Sequence, residues 1–396
     1  MHTRLHGVPS LQNSAHRGEV GMQPLKGIKV LDFSTLLPGP LATLLLAEAG
    51  AEIIKVERPG RGDEMRSYTP RFGADSVNFA LLNRGKRSIT VDLKSPQALE
   101  QLEPLIKEAD IVVEQFRPGV MDRLGLGYEQ LSSLNPGIIY CSITGYGQSG
   151  PKARTAAHDL NYIAETGLLG LSAGADGAPI LPPALIADIA GGAYPAVMNI
   201  LLALRTRDQG GKGCHLDISM ADGMFTFMYW ALGEAQAANH WPRPGHELVT
   251  GGSPRYQIYR TSDNRFVAAA PLEQKFWENF CQLIDLPAEY QDDENNETEV
   301  KQAIAARIAE APASYWSECF AGQDVCCSVV ATLAEAIDDP QFQHRKLFQY
   351  SINSDPGQSI NALPVPVAPA FRDVPRETGY PGLGENNERL VSGQEK

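Results

Sequence analysis

Between residues 25 and 150 short apolar runs alternate with helix-like segments, and this alternation constrains the fold more than any other feature of the chain. "IKVLDFS" (28–34) reads as a buried strand. "PLATLLLAEAG" follows as a helix, opened by Pro40, whose missing N–H costs nothing in a first helical turn, and closed by Gly50. "AEIIKVERP" is a second strand ending at Pro59. Strand, helix and strand joined this closely make a parallel crossover unit. The pattern repeats with "SITVDLK", then "SPQALEQLEPLIKEA" as a helix with Ser95 as N-cap, then the strand "DIVVEQF". A short helix, "GYEQLSSLN", precedes a last strand, "GIIYCSIT". The fold class expected is α/β, an open, doubly wound, Rossmann-like parallel sheet.

The large α/β domain is expected to span 24–225. It ends in the helical stretch "DIAGGAYPAVMNILLALRTRDQGGKG", the strand "CHLDISM" and the start of the helix "ADGMFTFMYWALGEAQA". A linker at 226–250 runs into the Pro- and Gly-rich segment 239–256. A smaller α+β domain (251–339) opens with the hairpin "YQIYRTSDNRFVAAA", turning at Asp263-Asn264. Residues 340–396 return to complete the large domain. Residues 1–23 are polar and unperiodic and carry His2, His6 and His16, which reads as a flexible tail; a weak transit peptide and a start at Met22 are the other readings.

With 34 Lys and Arg against 47 Asp and Glu, the net charge of −13 argues against nucleic acid as a partner but leaves room for arginines converging on a small anion. The six cysteines are scattered, and the adjacent Cys326-Cys327 is no metal-ligand spacing, so reduced thiols in a cytoplasmic protein without a metal are expected. The most apolar stretch, "LLPGPLATLLLAEAGAEII", is broken by Pro38, Pro40, Glu48 and Glu52 and is not read as a membrane span.

"ITGYGQSGP" (143–151) places Gly145, Gly147 and Gly150 in the G-x-G-x-x-G spacing of a dinucleotide loop. Such a loop belongs in the first strand-to-helix turn, which here reads "STLLPGP". The glycines instead follow a late strand and lead into the irregular "PKARTAAHD". They are read as a turn, with Gly147 making room for a neighbour beside the backbone. Beyond it, "TAAHDLNY" pairs His158 with Asp159, and "PALIADIAGG" puts Asp188 before a helix. Taken singly, a structural histidine and a helix cap would explain these residues.

Taken together and in order, several blocks resemble the family III CoA-transferases (CaiB/BaiF-type) and their relatives, the α-methylacyl-CoA racemases. They are "LKGIKVLDFSTLLPGPLATLLLAEAGAEIIKVERPGRGDEMR", "NRGKRSITVDLK", "ADIVVEQFRPGVMDRLGLGYEQLSSLNPGIIYCSITGYGQSGP", "ADIAGG", "GKGCHLDISMADG" and "GLGENNERL". The resemblance implies an acyl-CoA substrate, no separate cofactor, and an interlocked homodimer. It makes Asp188 the transferase nucleophile, and His158 with Asp159 the racemase His-Asp pair. It also matches Glu273 in "AAPLEQKFW" to a racemase glutamate, although Ala270, Pro271 and Lys275 depart from the usual pattern there. The segment "SYTPRFGADSVNFALLNRGKRS" is more transferase-like in length. Arg58, Arg87, Arg117 and Arg123 are the expected partners of the CoA phosphates, with Gln115, Phe116, Tyr146 and Gly147 along its pantetheine arm.

Racemisation needs two groups flanking the α-carbon, each acid or base in turn, and His158 opposite Asp188 would serve. Asp159 would orient His158, Glu273 would complete the hydrogen bonds, and N–H groups at the helix start would hold the enolate oxygen. A transferase instead needs Asp188 as nucleophile, passing through an acyl-aspartyl anhydride. The racemase is the leading expectation, the transferase the alternative, and a binding protein without activity the third class.

Overall fold

The computed structural model describes residues 22–390 apart from 175, 294–295, 355–356 and 373–376; nearly all of the tail expected over 1–23 lies outside the described residues. Six strands form one all-parallel sheet: β1 (Lys29–Asp32), β2 (Glu52–Glu57), β3 (Arg87–Thr90), β4 (Ile111–Glu114), β5 (Ile139–Thr144) and β6 (Cys214–Ser219). Their order across the sheet is β3-β2-β1-β4-β5-β6. The chain therefore reverses direction between β1 and β4, the switch point outside which open parallel sheets hold ligands.

Both faces of the sheet are covered, which is why β4 and β5 are buried at every position and read as mainly apolar runs. On one face α1 (Pro38–Glu48), α6 (Asp159–Glu165) and α7 (Tyr194–Asp208) pack over Ile53, Ile111, Val113, Ile139 and Ile143. On the other, α3 (Ala98–Glu108) and α5 (Tyr128–Leu134) bring Leu102, Ile106 and Leu131 against Val112, Ile138 and Tyr140. Each such fully buried aliphatic side chain contributes about 2 kcal/mol.

Two helix starts differ from the sequence reading. The first helix opens at Pro38, not Pro40. Ser95 starts a turn instead of capping α3, its hydroxyl accepting from the Gln97 N–H, and the helix begins at Ala98. The helix read over "ADGMFTFMYWALGEAQA" is present, residues 225–238 running through a 3-10 turn and α9 (Tyr229–Ala238), and the irregular part begins at Asn239. The helical run Ala187–Asp208 is long and apolar enough to cross a membrane by length and composition, a feature the sequence reading did not single out.

The smaller sheet is antiparallel: β7 (Gln257–Arg260), β8 (Phe266–Ala269) and β9 (Cys327–Val329), with β8 central. Asn264 takes the left-handed turn position between β7 and β8. Helices α10 (Gln274–Leu283), α11 (Glu297–Ile308) and α12 (Ala313–Phe320) close its core through Trp277, Phe280, Ile304 and Trp316. Near the C-terminus the side chains of Asn386 and Asn387 accept from the Ser88 and Thr90 N–H groups, so this segment runs along the outer edge of β3.

Candidate active site

A cleft of about 400 Å³ opens at the carboxyl ends of the strands, at the β1/β4 switch point. The loop after β1 supplies Leu36 and Pro38, the loop after β4 Gln115 to Pro118, and the loop after β5 Gly145 and Tyr146. His158, Asn161 and Asp188 complete it from outside the strand ends.

A lattice of buried charges fixes the first of these walls. Asp32, at the end of β1, accepts from the Ser34 N–H at 2.9 Å and the Thr43 hydroxyl at 2.6 Å, and pairs with Lys86 at 3.2 Å. Lys55 donates to the Ser34 carbonyl at 2.7 Å and pairs with Asp63 at 2.9 Å. The two lysines hold the Asp32 carboxyl down to about 2 against the opposing effect of its burial. Burial in turn pushes Lys86 down to about 8. Asp63 also accepts from the Leu36 N–H at 3.1 Å. Leu36 sits at φ +62, a backbone conformation that costs a side-chain-bearing residue energy and persists only when its surroundings impose it. The Gln115 side chain ties the β4 wall to this one, accepting from the Gly39 N–H at 3.1 Å and donating to the Thr35 carbonyl at 2.5 Å.

Asp188 does not cap a helix. It is the second residue of a wide, π-type helical turn, Ala187–Ala193, that continues into α7. The two glycines behind it exist for packing: a Cβ on Gly191 would meet the Met220 carbonyl at 2.2 Å, and one on Gly192 the Pro38 side chain at 3.2 Å. Asp159, the first residue of α6, is buried and accepts the Asp188 N–H at 2.9 Å. Asp159 thus bonds the Asp188 backbone, and the Asp188 N–H, one of the groups at this helix start, is engaged and not free for an enolate oxygen. Burial, reinforced by the Asp159 charge and opposed by His158, raises the Asp188 carboxyl to about 6. A half-buried acid poised there can exchange a proton near neutrality.

The glycine motif is a turn. A Cβ on Gly145 would strike the Tyr162 ring at 2.5 Å, and Gly147 and Gly150 have φ of +80° and +94°. No helix starts between Gly145 and His158, so the segment lacks the helix N-terminus a dinucleotide loop needs. Gly147 is needed for its backbone angle; the nearest atoms a Cβ would meet there are the Asp217 carboxylate oxygens, at 3.5 and 3.6 Å, which is ordinary contact. Tyr146 faces the cleft, donating to Glu165 at 2.9 Å with its ring edge-on to Tyr162.

Of the expected arginines, Arg117 lines the cleft. Arg58 is exposed just past the end of β2 and Arg123 is exposed at the end of α4 (Val120–Arg123). Arg87 is paired with Glu52 on the outer strands and does not line the cleft. Glu273 lies in the small domain, exposed just before α10, and is not among the residues lining the cleft. The sequence reading missed the Asp32, Lys55, Asp63 and Lys86 lattice, although charged residues inside otherwise apolar strands were its signal, because such charges are buried only when paired.

The model of CoA-transferase family III matches residues 25–387. The human α-methylacyl-CoA racemase is 34% identical over 371 residues, covering 93% of this chain and 92% of that protein. The mouse succinyl-CoA:glutarate CoA-transferase is also 34% identical, over 342 residues, covering 82% of this chain and 76% of that protein. The crystal structure of a CAIB/BAIF family protein from Brucella suis superposes with a TM-score of 0.79 at 30% identity, covering 93% of this chain and 99% of that one. Racemase and transferase relatives thus stand at equal identity; the chain belongs to CoA-transferase family III, the superfamily of enzymes that includes the racemases.

Proposed function

We propose that this protein racemises 2-methylacyl-CoA thioesters by removing the α-proton and returning one to the opposite face. The observation that carries this reading is the presence of His158 and Asp188 in one cleft, with the Asp188 carboxyl raised to about 6. An acid near that value can give up and take back a proton near neutrality, and the His158 imidazole supplies the second proton carrier that a reaction running in both directions requires. The thioester would lie along Gln115 and Phe116 with its α-carbon between His158 and Asp188. Arg117 would meet the phosphates from the cleft, and Arg58 and Arg123 from its exposed approaches. CoA enters as part of the substrate, and no separate cofactor is proposed.

The second reading is a CoA-transferase in which Asp188 attacks the thioester carbonyl, expels CoA thiolate and becomes an acyl anhydride. It is favoured by the position of Glu273 outside the cleft of its own chain. The homodimer belongs to the same proposal. Tyr194, Met198, Leu201 and Leu202 on α7 leave a large apolar face exposed, and Tyr229 and Trp241 are 76% and 70% exposed. A second copy covering them fits better than water, since exposed apolar patches of this extent mark interfaces.

Incubation with a 2-methylacyl-CoA in deuterated water, without an acceptor acid, separates the readings. The racemase incorporates α-deuterium, and His158→Ala lowers that incorporation by about a hundredfold or more. Exchange of labelled acid into acyl-CoA with no α-deuterium would overturn the racemase in favour of the transferase.

A further inference from the structure

Beside the cleft lies a second cavity of about 430 Å³, sharing Arg117, Pro118 and Ala153 with it. Its floor holds a polar chain that the proposed chemistry does not use. Glu114 and Ser142 are register partners on β4 and β5, 4% and 1% exposed. His215 on β6 pairs with Tyr140, two residues before Ser142, which puts its ring diagonally across the sheet from the serine. The Ser142 hydroxyl lies 2.9 Å from His215 Nε2, and the serine stands beside its register partner Glu114 on the neighbouring strand. The Glu114 Oε2 atom accepts the Phe116 N–H at 2.7 Å. Tyr128 stacks on the imidazole at 5.4 Å, leaving the chain's outer end at the exposed His215.

We propose that Glu114, Ser142 and His215 form a hydrogen-bonded relay that positions the Phe116 backbone, and with it the 115–118 wall of the cleft, according to the protonation of Glu114. The consequence for catalysis rests on the acyl-CoA reading of that cleft. With Glu114 ionised, His215 Nε2–H donates to Ser142, Ser142 donates to Glu114, and Phe116 donates to a charged oxygen. When a proton enters from solvent at His215 Nδ1, the Nε2 proton moves to Ser142 and the serine proton to Glu114. One proton is then stored on Glu114, and the direction of the Ser142 bonds is reversed. The Phe116 N–H now faces a neutral carboxylic acid, and a hydrogen bond to a charged acceptor is roughly twice as strong as one to a neutral acceptor.

The groups around Glu114 set where this happens. Burial is the first cause of its raised carboxyl, which stands at about 7, and Asp122 from α4 and Asp217 from β6 push in the same direction. The Ser142 and Phe116 hydrogen bonds oppose them. Arg117, Glu129 and Arg154 line the same cavity from its loops and α5, and Tyr140 faces it from β5. His215 is itself held below its ordinary value by burial, so above neutrality the imidazole is uncharged. These three are positioning residues, since none reaches the reacting atoms.

Amide hydrogen exchange of the full chain between pH 6 and 8.5, corrected for intrinsic rates, tests the relay directly. Protection of the peptide containing Phe116 should rise about fivefold through pH 7 in the natural protein. Glu114→Gln should hold it at the low level at every pH. His215→Phe, at an exposed position and able to keep the stacking on Tyr128, should move the midpoint upward by weakening the Ser142 donation. With acyl-CoA, Glu114→Gln should raise KM severalfold and leave kcat within about twofold, because the wall is loosened and the reacting groups are not. Protection independent of pH in the natural protein, or an unmoved midpoint in His215→Phe, overturns the relay. Failure to bind acyl-CoA with the exchange midpoint intact would instead overturn the reading of the cleft and leave the relay standing.

Discussion

Replacing Asp159 with Asn isolates one electrostatic cause at the site. Asp188 stands at about 6 instead of 3.8, with burial the first cause, the Asp159 charge the second, and His158 working against both. The rise from 3.8 to about 6 corresponds to about 3 kcal/mol, of which burial supplies the larger part and the Asp159 charge the next. For scale, like charges in a half-wet environment with an effective dielectric constant of about 40 repel by on the order of 1 kcal/mol across several ångströms. Asparagine keeps an oxygen to accept the Asp188 N–H, so the geometry survives and only the charge is lost. Both readings of the chemistry need ionised Asp188 in at least one step. The acidic limb of kcat/KM should therefore fall from a midpoint near 6 toward the ordinary carboxylate range in Asp159→Asn, followed from pH 4.5 to 8 by deuterium incorporation or acid exchange. A midpoint that stays at 6 or moves upward would refute the assignment of Asp159 as a charge raising Asp188.

The raised Asp188 carboxyl also has a stability sign: its contribution is present below its unfolded value of 3.8 and is lost as the pH rises through 6. Asp188→Asn should therefore be inactive yet, at pH 7.5, more stable than the natural protein by about 2 kcal/mol after allowance for solvent screening, with no such gain at pH 4, as read by urea unfolding at the two pH values. Gly191→Ala should cost about 3 kcal/mol in the same assay, because the new Cβ meets the Met220 carbonyl at 2.2 Å and Met224 Cε at 2.8 Å between two packed helical segments. A loss under 1 kcal/mol would mean the helices part easily there. Lys86→Met should cost about 3–5 kcal/mol by leaving the buried Asp32 carboxylate with one cation fewer, and double replacement with Asp32→Asn should recover a large part of it.

What was legible in the chain and what was not follow from the range over which each signal acts. The six-stranded parallel sheet follows from local pattern, since strands covered on both faces read as mainly apolar runs, and "DIVVEQF" and "GIIYCSIT" do, with Glu114, Ser142 and Thr144 the buried polar exceptions. The place of the cleft follows from strand order, which the alternation only narrows and the pairing of β1 with both β2 and β4 decides. Asp188 and His158 were found through blocks of residues matching a family, but their relation was not, because it depends on α6 meeting a wide helical turn 29 residues further on. An aspartate ahead of "IAGG" reads as a cap when only propensity is counted. It ceases to be one because the glycines let that turn press onto Met220, which carries Asp188 past the cap position and hands its N–H to Asp159. In the proposed racemase, with that N–H engaged, the enolate oxygen must find its donors elsewhere on the cleft wall. Asn161 lines that wall, but its side-chain oxygen accepts the His158 N–H, which leaves its amide nitrogen as the donor next to the reacting groups. Asn161→Asp would replace that donor with an acceptor and a negative charge. It should lower kcat by about a hundredfold while KM for acyl-CoA changes little, and unchanged turnover would place the oxyanion away from α6.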